Sequence, residues 1–300
     1  GRQIAYVTKR GEDPDRHSNW DIFVIEARAG AAERRLTSFE GGDLIPDLES
    51  RPAWSPDGKR IAYLQGGEDK DLYYAPYQLA IVDVATGAAT IPAPIDRSFA
   101  KPQWSKDGRS VYALIEQSRV TNLSRVSLAD GRVTSLTSGL RFDADFDVAG
   151  ERLVVLGGGD DRPAEVAAVE RRGLRPLTSH NDWLAQKRLV RMEDISFRSA
   201  DGTEIHGFLV KPVDYVAGRR YPAILRIHGG PVYQFSHEFM PDWQAYAAAG
   251  FAVVATNPRG SSGRGFEFAR AIYADWGNKD VQDVLAGVDH VVALGVADPD

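Results

Sequence analysis

The residues best suited to chemistry lie in one short stretch, His228-Gly229-Gly230-Pro231, directly after the apolar run Ala223 to Ile227. The run has the length and β-branched content of a buried strand, and the glycines with the proline mark a sharp stop. Because glycine lets a backbone approach a ligand closely, the N–H groups of such a turn can face a reacting oxygen. The stretch therefore predicts an anion-stabilising loop, with a strand and a packed turn as the alternative.

A second glycine-rich stretch, Asn257 to Gly265 (NPRGSSGRG), follows the apolar run Phe251 to Thr256. Its glycine order differs from G-x-G-x-x-G, and no acidic residue follows about 20 positions later, so a dinucleotide site is not expected. Arg259 could bind a substrate carboxylate or form a structural salt bridge. Ser261 and Ser262 lack the G-x-S-x-G spacing of a nucleophile elbow, so neither is expected to be a nucleophile.

Composition excludes several other kinds of site. The chain has no cysteine, so disulfides, thiolate metal sites and a cysteine nucleophile are absent. Its histidines show no zinc spacing, and Asp160-Asp161 is an incomplete calcium pattern. The net charge is −6, with 43% hydrophobic and 26% charged residues, which favours a globular protein that binds neither nucleic acid nor an anionic membrane. No apolar run approaches the roughly 18 residues of a membrane span.

The elements that position these stretches begin with an internal repeat. Four similar segments align on a turn glycine, at spacings of 57, 50 and 42 residues. A second pair of predicted strands follows each segment, and Leu-Thr-Ser recurs at Leu36, Leu136 and Leu177. About four strands per repeat of this length predict the blades of a β-propeller. The four segments are Gly1 to Val7, Arg51 to Leu64, Lys101 to Leu114 and Asp145 to Leu156.

Past Ser179 the pattern changes from strand pairs to strands that alternate with helices, which predicts a parallel sheet with crossovers. The linker Asn181 to Val190 separates the two parts, so we expect one domain over residues 1–180 and another over 181–300. The predicted elements after the linker are a hairpin (Glu193 to Ser199 and Glu204 to Lys211), strands Tyr221 to Ile227 and Phe251 to Thr256, and helices Glu238 to Ala249, Phe266 to Ala274 and Lys279 to Leu294.

The repeats resemble the WSPDG-type blades that precede the catalytic domain in prolyl oligopeptidase-like enzymes. The order HGGP, NPRGSSGRG and DWGNKD resembles the first half of the α/β-hydrolase domain in the prolyl oligopeptidase family of serine peptidases, and its acylaminoacyl-peptidase-like branch in particular. The fold class that this resemblance implies is a partial β-propeller of about four blades, followed by the amino-terminal half of an α/β-hydrolase domain.

The resemblance implies a serine exo- or oligopeptidase that hydrolyses short peptides through an acyl-enzyme, with the propeller gating access. The N–H of Gly230 is the expected oxyanion donor, with Gly229 second. His228 shapes the loop, and His228 and Arg259 are the expected substrate-binding residues. The nucleophile, base and acid are expected beyond Asp300, with the serine roughly ten residues past it, since VADPD resembles the family's lead-in to the serine elbow.

Alternatives remain open at this point. One is a non-catalytic propeller binding module, and another is an esterase on the same fold, which Pro231 disfavours because lipase-type loops carry a third glycine there. The family's dipeptidyl branch holds the substrate amine with an adjacent Glu pair, and the lack of one here favours blocked or internal peptides. No cofactor and no metal is implied, and a homo-oligomer is left open. A cytoplasmic location is expected, with the periplasm as an alternative because the amino terminus looks truncated.

Overall fold

The structure is a computed structural model, and it describes residues 1–44 and 50–300. The first part of the chain is built of antiparallel strands. These strands are β1 (Gln3–Thr8), β2 (Asp21–Glu26), β3 (Glu33–Arg35), β4 (Gly41–Asp43), β5 (Ala53–Trp54), β6 (Arg60–Glu68), β7 (Gln78–Asp83), β8 (Ala89–Thr90), β9 (Phe99–Trp104), β10 (Ser110–Gln117), β11 (Val120–Ser127), β12 (Val133–Ser135), β13 (Phe142–Ala149), β14 (Arg152–Gly159), β15 (Arg162–Glu170) and β16 (Gly173–Pro176).

These strands form three sheets whose order follows the sequence repeats. The first sheet is β1-β2-β3, and the second is β4-β6-β7-β8 with β5 beside β6. The third contains two antiparallel groups, β9 to β12 and β13 to β16, joined where β11 runs parallel to β13. The strand pairs predicted from the repeats are therefore confirmed. Within the described residues the sheets form no closed ring, so a partial β-propeller and the domain division at residue 180 stay predictions.

The predicted hairpin turns contain glycines with positive φ, at 69° for Gly58 and 67° for Gly108. A side chain would be strained there, which explains the Asp-Gly pairs. In the first of these turns the Ser55 hydroxyl donates to Asp57 at 2.6 Å, and the Gly58 N–H donates to the Ser55 carbonyl at 2.9 Å. Local hydrogen bonds thus set the reversal between β5 and β6.

The recurring Leu-Thr-Ser also has a structural cause. In each copy the threonine hydroxyl accepts a hydrogen bond from a backbone N–H in the first strand of the pair that the threonine follows, always at 2.9 Å. The threonine also donates to a carboxylate, so its hydroxyl ties the end of the strand pair to the strands beside it. The three N–H donors and their threonines are Ile22 with Thr37, Leu123 with Thr137, and Val166 with Thr178.

Neighbouring sheets pack through a shared apolar core. A single cluster of buried side chains extends from Ile22 in β2 through Tyr63 in β6 to Val126 in β11. The Trp104 ring lies at the boundary between the second and third sheets, and its Nε1–H donates to the Ala53 carbonyl at 2.7 Å. A tryptophan packing one sheet against the next is the role that the repeat predicts.

The second part of the chain contains a mixed sheet with helices. Its strands are β17 (Glu193–Arg198), β18 (Glu204–Val210), β19 (Ala223–Arg226) and β20 (Ala252–Asn257), in the order β17-β18-β20-β19. Its helices are α1 (Pro241–Ala248), α2 (Phe266–Arg270) and α3 (Lys279–Ala293), and short 3₁₀ turns lie at Pro14–Arg16, Asp69–Asp71 and Asp182–Gln186.

The predicted hairpin is confirmed as β17 with β18, and the two strands after it, β19 and β20, are parallel as predicted. Three details need correction. The sheet as a whole is mixed rather than parallel, because β18 pairs antiparallel with β20. Helix α2 ends at Arg270 rather than Ala274. Helix α1 begins at Pro241 rather than Glu238, because proline lacks the N–H that a helix interior needs but fits its first turn. The longest described helix, α3, has 15 residues, and none is long and apolar enough to cross a membrane.

Strand β19 lies at an edge of this sheet, and its outer side meets the described chain at one parallel bridge, Tyr221 to Ala297. A cleft of about 210 Å³ lies beside this edge. Apolar side chains that line it are exposed, with Ile227 at 62% and Leu285 at 55%. The loops that follow β19 and β20 therefore share the carboxyl edge of the sheet, where open α/β sheets bind their ligands.

Candidate active site

The loop after β19 contains two exposed glycines, Gly229 and Gly230. Among the described residues, neither glycine N–H has a hydrogen-bond acceptor within the protein. Gly230 has a φ of 134°, and a Cβ there would lie 2.9 Å from the Val232 nitrogen, whereas a Cβ on Gly229 would meet no atom within 4 Å. The peptide bond from Gly230 to Pro231 is cis. Glycine is thus required at position 230, and both donors are free to bind an anion.

His228 joins this loop to the loop after β20. Its Nδ1 lies 3.0 Å from the Gly229 carbonyl oxygen, and its Nε2 lies 2.9 Å from the Ser261 hydroxyl. Because a carbonyl only accepts, Nδ1 carries the proton and Nε2 accepts from the serine. Burial lowers the pKa of the imidazole, which favours its neutral form. Its ring packs edge-on against Tyr233 and Phe235, so His228 shapes the loop.

Arg259 is buried in an ion pair. Its Nε and one terminal nitrogen donate to Asp283 at 2.9 and 2.7 Å, and the other terminal nitrogen donates to Asp201. Its backbone N–H also donates to Asp283 at 2.8 Å. The two carboxylates raise the pKa of the guanidinium. This is the structural salt bridge that the sequence left open as the alternative, and it anchors the loop after β20. A contact between Arg259 and a substrate stays a prediction.

The two serines of that loop point away from solvent. Ser261 donates to His228 in the geometry of a nucleophile and its base, but it is only 1% exposed, so a substrate carbonyl cannot reach its hydroxyl. The other nitrogen of His228 bonds a carbonyl rather than the carboxylate that a triad uses. Ser262 donates to Glu116 at 2.7 Å. The pair Ser261–His228 therefore positions two loops.

Several residues near the loops had no signal in the sequence. Gln234, four residues after Gly230, bonds the turn between β10 and β11, and Glu116 lies at the end of β10, 146 positions before its partner Ser262. His237 bonds Asp160 at 2.8 Å. Contacts between residues so far apart follow from the tertiary fold, so spacing along the chain cannot indicate them. Asp160, part of the incomplete calcium pattern, is thus engaged by a histidine, and the described residues contain no metal-binding cluster.

Known proteins resemble this chain in both sequence and fold. Residues 237–300 match the sequence model of the prolyl oligopeptidase family. Dipeptidyl-peptidase 5 of Porphyromonas gingivalis is 27% identical over 97% of this chain and 43% of its own length. The uncharacterized peptidase YuxL of Bacillus subtilis is 31% identical over 64% of this chain and 30% of its own length. The acylaminoacyl peptidase of Pyrococcus horikoshii superimposes with a TM-score of 0.83 at 27% identity, over 99% of this chain and 45% of that chain.

These similarities confirm the resemblance that the motifs carry. The match to the acylaminoacyl peptidase extends over both parts of the chain, the antiparallel sheets as well as the mixed sheet. The chain spans less than half the length of these relatives.

Proposed function

We propose that the chain belongs to a serine peptidase of the prolyl oligopeptidase family that hydrolyses short peptides, on the match of residues 237–300 to that family and the similarity in fold to an acylaminoacyl peptidase. The observation that carries this proposal is the pair of exposed glycines, Gly229 and Gly230, whose N–H groups are unbonded at the carboxyl end of β19. Donors held in place before the reaction stabilise the negative charge that develops on a carbonyl oxygen. We assign the oxyanion hole to this loop, with Gly230 as the principal donor.

The nucleophile, base and acid lie outside these 300 residues in this proposal. The serines of the loop after β20 are buried and bonded, as described above. An isolated parallel bridge joins Tyr221, just before β19, to Ala297. A strand continuing in that direction would cover the exposed apolar side chains and end beside His228. A serine at its end would face the glycine amides, as the fold's strand-to-helix elbow requires.

The chemistry follows from this arrangement. The base takes the serine proton as the serine oxygen attacks the peptide carbonyl carbon, and the resulting oxyanion accepts a hydrogen bond from Gly230 and one from the residue after the serine. Collapse breaks the carbon–nitrogen bond, the base gives its proton to the departing amine, and an acyl-enzyme remains. Water, deprotonated by the same base, then attacks the acyl carbon, and a second oxyanion collapses to release the acid and return the proton to the serine. Each donor contributes about 10²–10³ in rate. His228 and the Arg259–Asp283 pair hold the loops and take no proton from the substrate. No cofactor takes part.

The substrate class follows from the relatives and the repeats. Two of the similar proteins are named as a dipeptidyl-peptidase and an acylaminoacyl peptidase, and both names are those of peptidases. The antiparallel sheets belong, in this proposal, to a β-propeller that gates the active site and admits only short chains. The division into a propeller part (1–180) and a hydrolase part (181–300) is part of the same proposal.

A fluorophosphonate probe tests the assignment, because it reacts with activated serines. The full-length protein should be labelled at a serine beyond Asp300, while residues 1–300 alone should stay unlabelled. The full-length protein should also hydrolyse an acylaminoacyl-anilide faster than a simple acyl ester. This comparison separates a peptidase from an esterase on the same fold. A full-length protein that is neither labelled nor active would overturn the proposal and favour a binding module.

A further inference from the structure

We propose that the tip of the β10–β11 hairpin, Glu116 to Arg119, positions the oxyanion loop of the mixed sheet. The antiparallel sheets would then contribute to catalysis through a contact, beyond any role in admitting substrates. This inference rests on the proposed function and concerns the same site. The hairpin turn, Ser118-Arg119, lies between Gln117 and Val120, the last paired residues of the hairpin. It points away from its own sheet toward the loop that follows Gly230.

Gln234 forms the central contact. Its Nε2 donates to the Gln117 carbonyl at 2.7 Å, and its Oε1 accepts from the Arg119 N–H at 2.9 Å. One buried amide thus satisfies both backbone groups of the turn, on either side of Ser118. An unpaired backbone group in such a place would cost free energy, so the turn and the amide hold each other in register. Since Gln234 lies four residues after Gly230, this register is transmitted to the oxyanion loop over a short distance.

The loop after β20 contacts the same tip. Ser262 donates its hydroxyl to Glu116 at 2.7 Å and its backbone N–H to the Tyr233 carbonyl at 3.1 Å. Gly263 has a φ of 77°, and a Cβ there would lie 2.4 Å from the Gln234 amide oxygen and 2.9 Å from the Gln117 carbonyl. A glycine is therefore needed where the two loops and the hairpin meet. Both loops that flank the proposed active site therefore form hydrogen bonds with one hairpin.

The far side of the tip is held as firmly. Arg119 has a positive φ of 67°, which is uncommon for a residue with a side chain and indicates that its surroundings fix this turn. Its carbonyl accepts from the His237 N–H at 2.8 Å, and its guanidinium lies 3.2 Å from Asp194. The Ser118 hydroxyl lies 3.0 Å from Nδ1 of His206. The tip is thus seated between strands β17 and β18 on one side and the oxyanion loop on the other.

These contacts predict a particular kinetic effect. Loss of the Gln234 amide would leave β19 and the substrate pocket in place while the segment after Gly230 gains freedom to move. Donors that are mispositioned by a fraction of an ångström stabilise the transition state less, but they barely affect ground-state binding. If the contact only held the two parts of the chain together, its loss would instead lower the stability of the protein without a selective effect on kcat.

The test uses the full-length protein, with kcat expressed per serine titrated by the fluorophosphonate. We expect Gln234→Ala to lower kcat about 10- to 100-fold, while KM changes less than about threefold. The affinity for a peptide aldehyde, which forms a tetrahedral adduct with the serine, should fall by a factor similar to that of kcat. Ser262→Ala, which removes one hydroxyl, should lower kcat less in the same pattern, and it provides a second variant if Gln234→Ala fails to fold. Arg125→Ala, on the exposed face of the same hairpin, is the control and should match the wild type.

The outcomes separate this inference from the function beneath it. A selective loss of kcat and aldehyde affinity in the folded variants supports the positioning role. Two results with an active wild type would contradict the inference and leave the peptidase assignment standing. In one, the folded variants keep kcat within about twofold of the wild type. In the other, kcat falls and KM changes while the affinity for the aldehyde is unchanged. An inactive and unlabelled wild type would overturn both.

Discussion

At the residue scale, the two glycines of the proposed oxyanion loop differ in the side chains that they tolerate. Gly229 has open space where a side chain would stand, and its φ is ordinary, whereas Gly230 has a φ of 134° and its Cβ would crowd the Val232 nitrogen. An alanine keeps its N–H, so substitution tests the placement of the donor rather than its presence. The glycine at position 230 is needed for conformation, and the glycine at 229 is not.

We therefore expect Gly230→Ala in the full-length protein to lower kcat by about 10²-fold, the effect of losing one oxyanion donor. Gly229→Ala is the matched control and should stay within about threefold of the wild type, because its Cβ meets no atom. Steady-state hydrolysis of an acylaminoacyl-anilide measures both. Equal losses in the two variants would contradict the unequal roles assigned to the two positions.

Residue types in the sequence were enough to identify this loop but not its supports. The string HGGP predicts a turn with free amides because glycine and proline restrict the backbone locally. The partners of Arg259 could not be predicted, since Asp201 and Asp283 lie 58 and 24 positions away. Only the packing of α3 against the sheet brings Asp283 to the guanidinium, so the sequence could favour a structural salt bridge for Arg259 without naming its partners.

At the element scale, the repeated threonine ties the end of each strand pair back to the first strand of that pair. Thr137 is buried, accepts from the Leu123 N–H at 2.9 Å and donates to the buried carboxylate of Asp143. The Asp143 carboxylate also accepts from Arg141 at 2.7 Å. Removing the hydroxyl would leave a buried N–H with one partner fewer and a carboxylate with one donor fewer.

Thr137→Val should lower the free energy of unfolding by about 1–3 kcal/mol, the contribution of a hydrogen bond to a buried carboxylate. Thr137→Ser keeps the hydroxyl and loses one methyl group, so a loss of about 1 kcal/mol or less is expected. Thr134→Val, at an exposed position of β12, should change stability by less than about 0.5 kcal/mol. Urea unfolding followed by tryptophan fluorescence measures the free energy of unfolding of all three variants. Equal losses in Thr134→Val and Thr137→Val would contradict the structural role assigned to the Thr137 hydroxyl.

Elements were predicted well where a local pattern defines them. The strand pairs and their Asp-Gly turns follow from alternation and from the demand for positive φ, so their positions are confirmed. The start of α1 was wrong by three residues, because the apolar spacing extends back to Phe239 while the backbone turns helical only at Pro241. The orientation of β17 and β18 relative to β20 depends on the whole sheet, which no single stretch encodes.

At the scale of the whole molecule, the two parts of the chain are joined by specific polar contacts around the proposed site. Asp96 accepts from the Phe266 N–H at 2.7 Å, and a Cβ on Gly265 would clash with that carboxylate. Trp276 donates to the Tyr74 hydroxyl at 2.8 Å. Together with the hairpin tip, these contacts place the antiparallel sheets over the carboxyl edge of the mixed sheet. This arrangement is what a gate over an active site would need, and the repeats alone could not predict it.

The central claim is that the amides after β19 bind the oxygen on which negative charge develops. Its most direct test is a crystal structure of the full-length protein after reaction with a fluorophosphonate. We expect the phosphonyl oxygen to lie about 2.7–3.1 Å from the Gly230 nitrogen, with the adduct on a serine beyond Asp300. An adduct whose oxygen is bound elsewhere, with the amides of Gly229 and Gly230 bonded within the protein, would contradict the account.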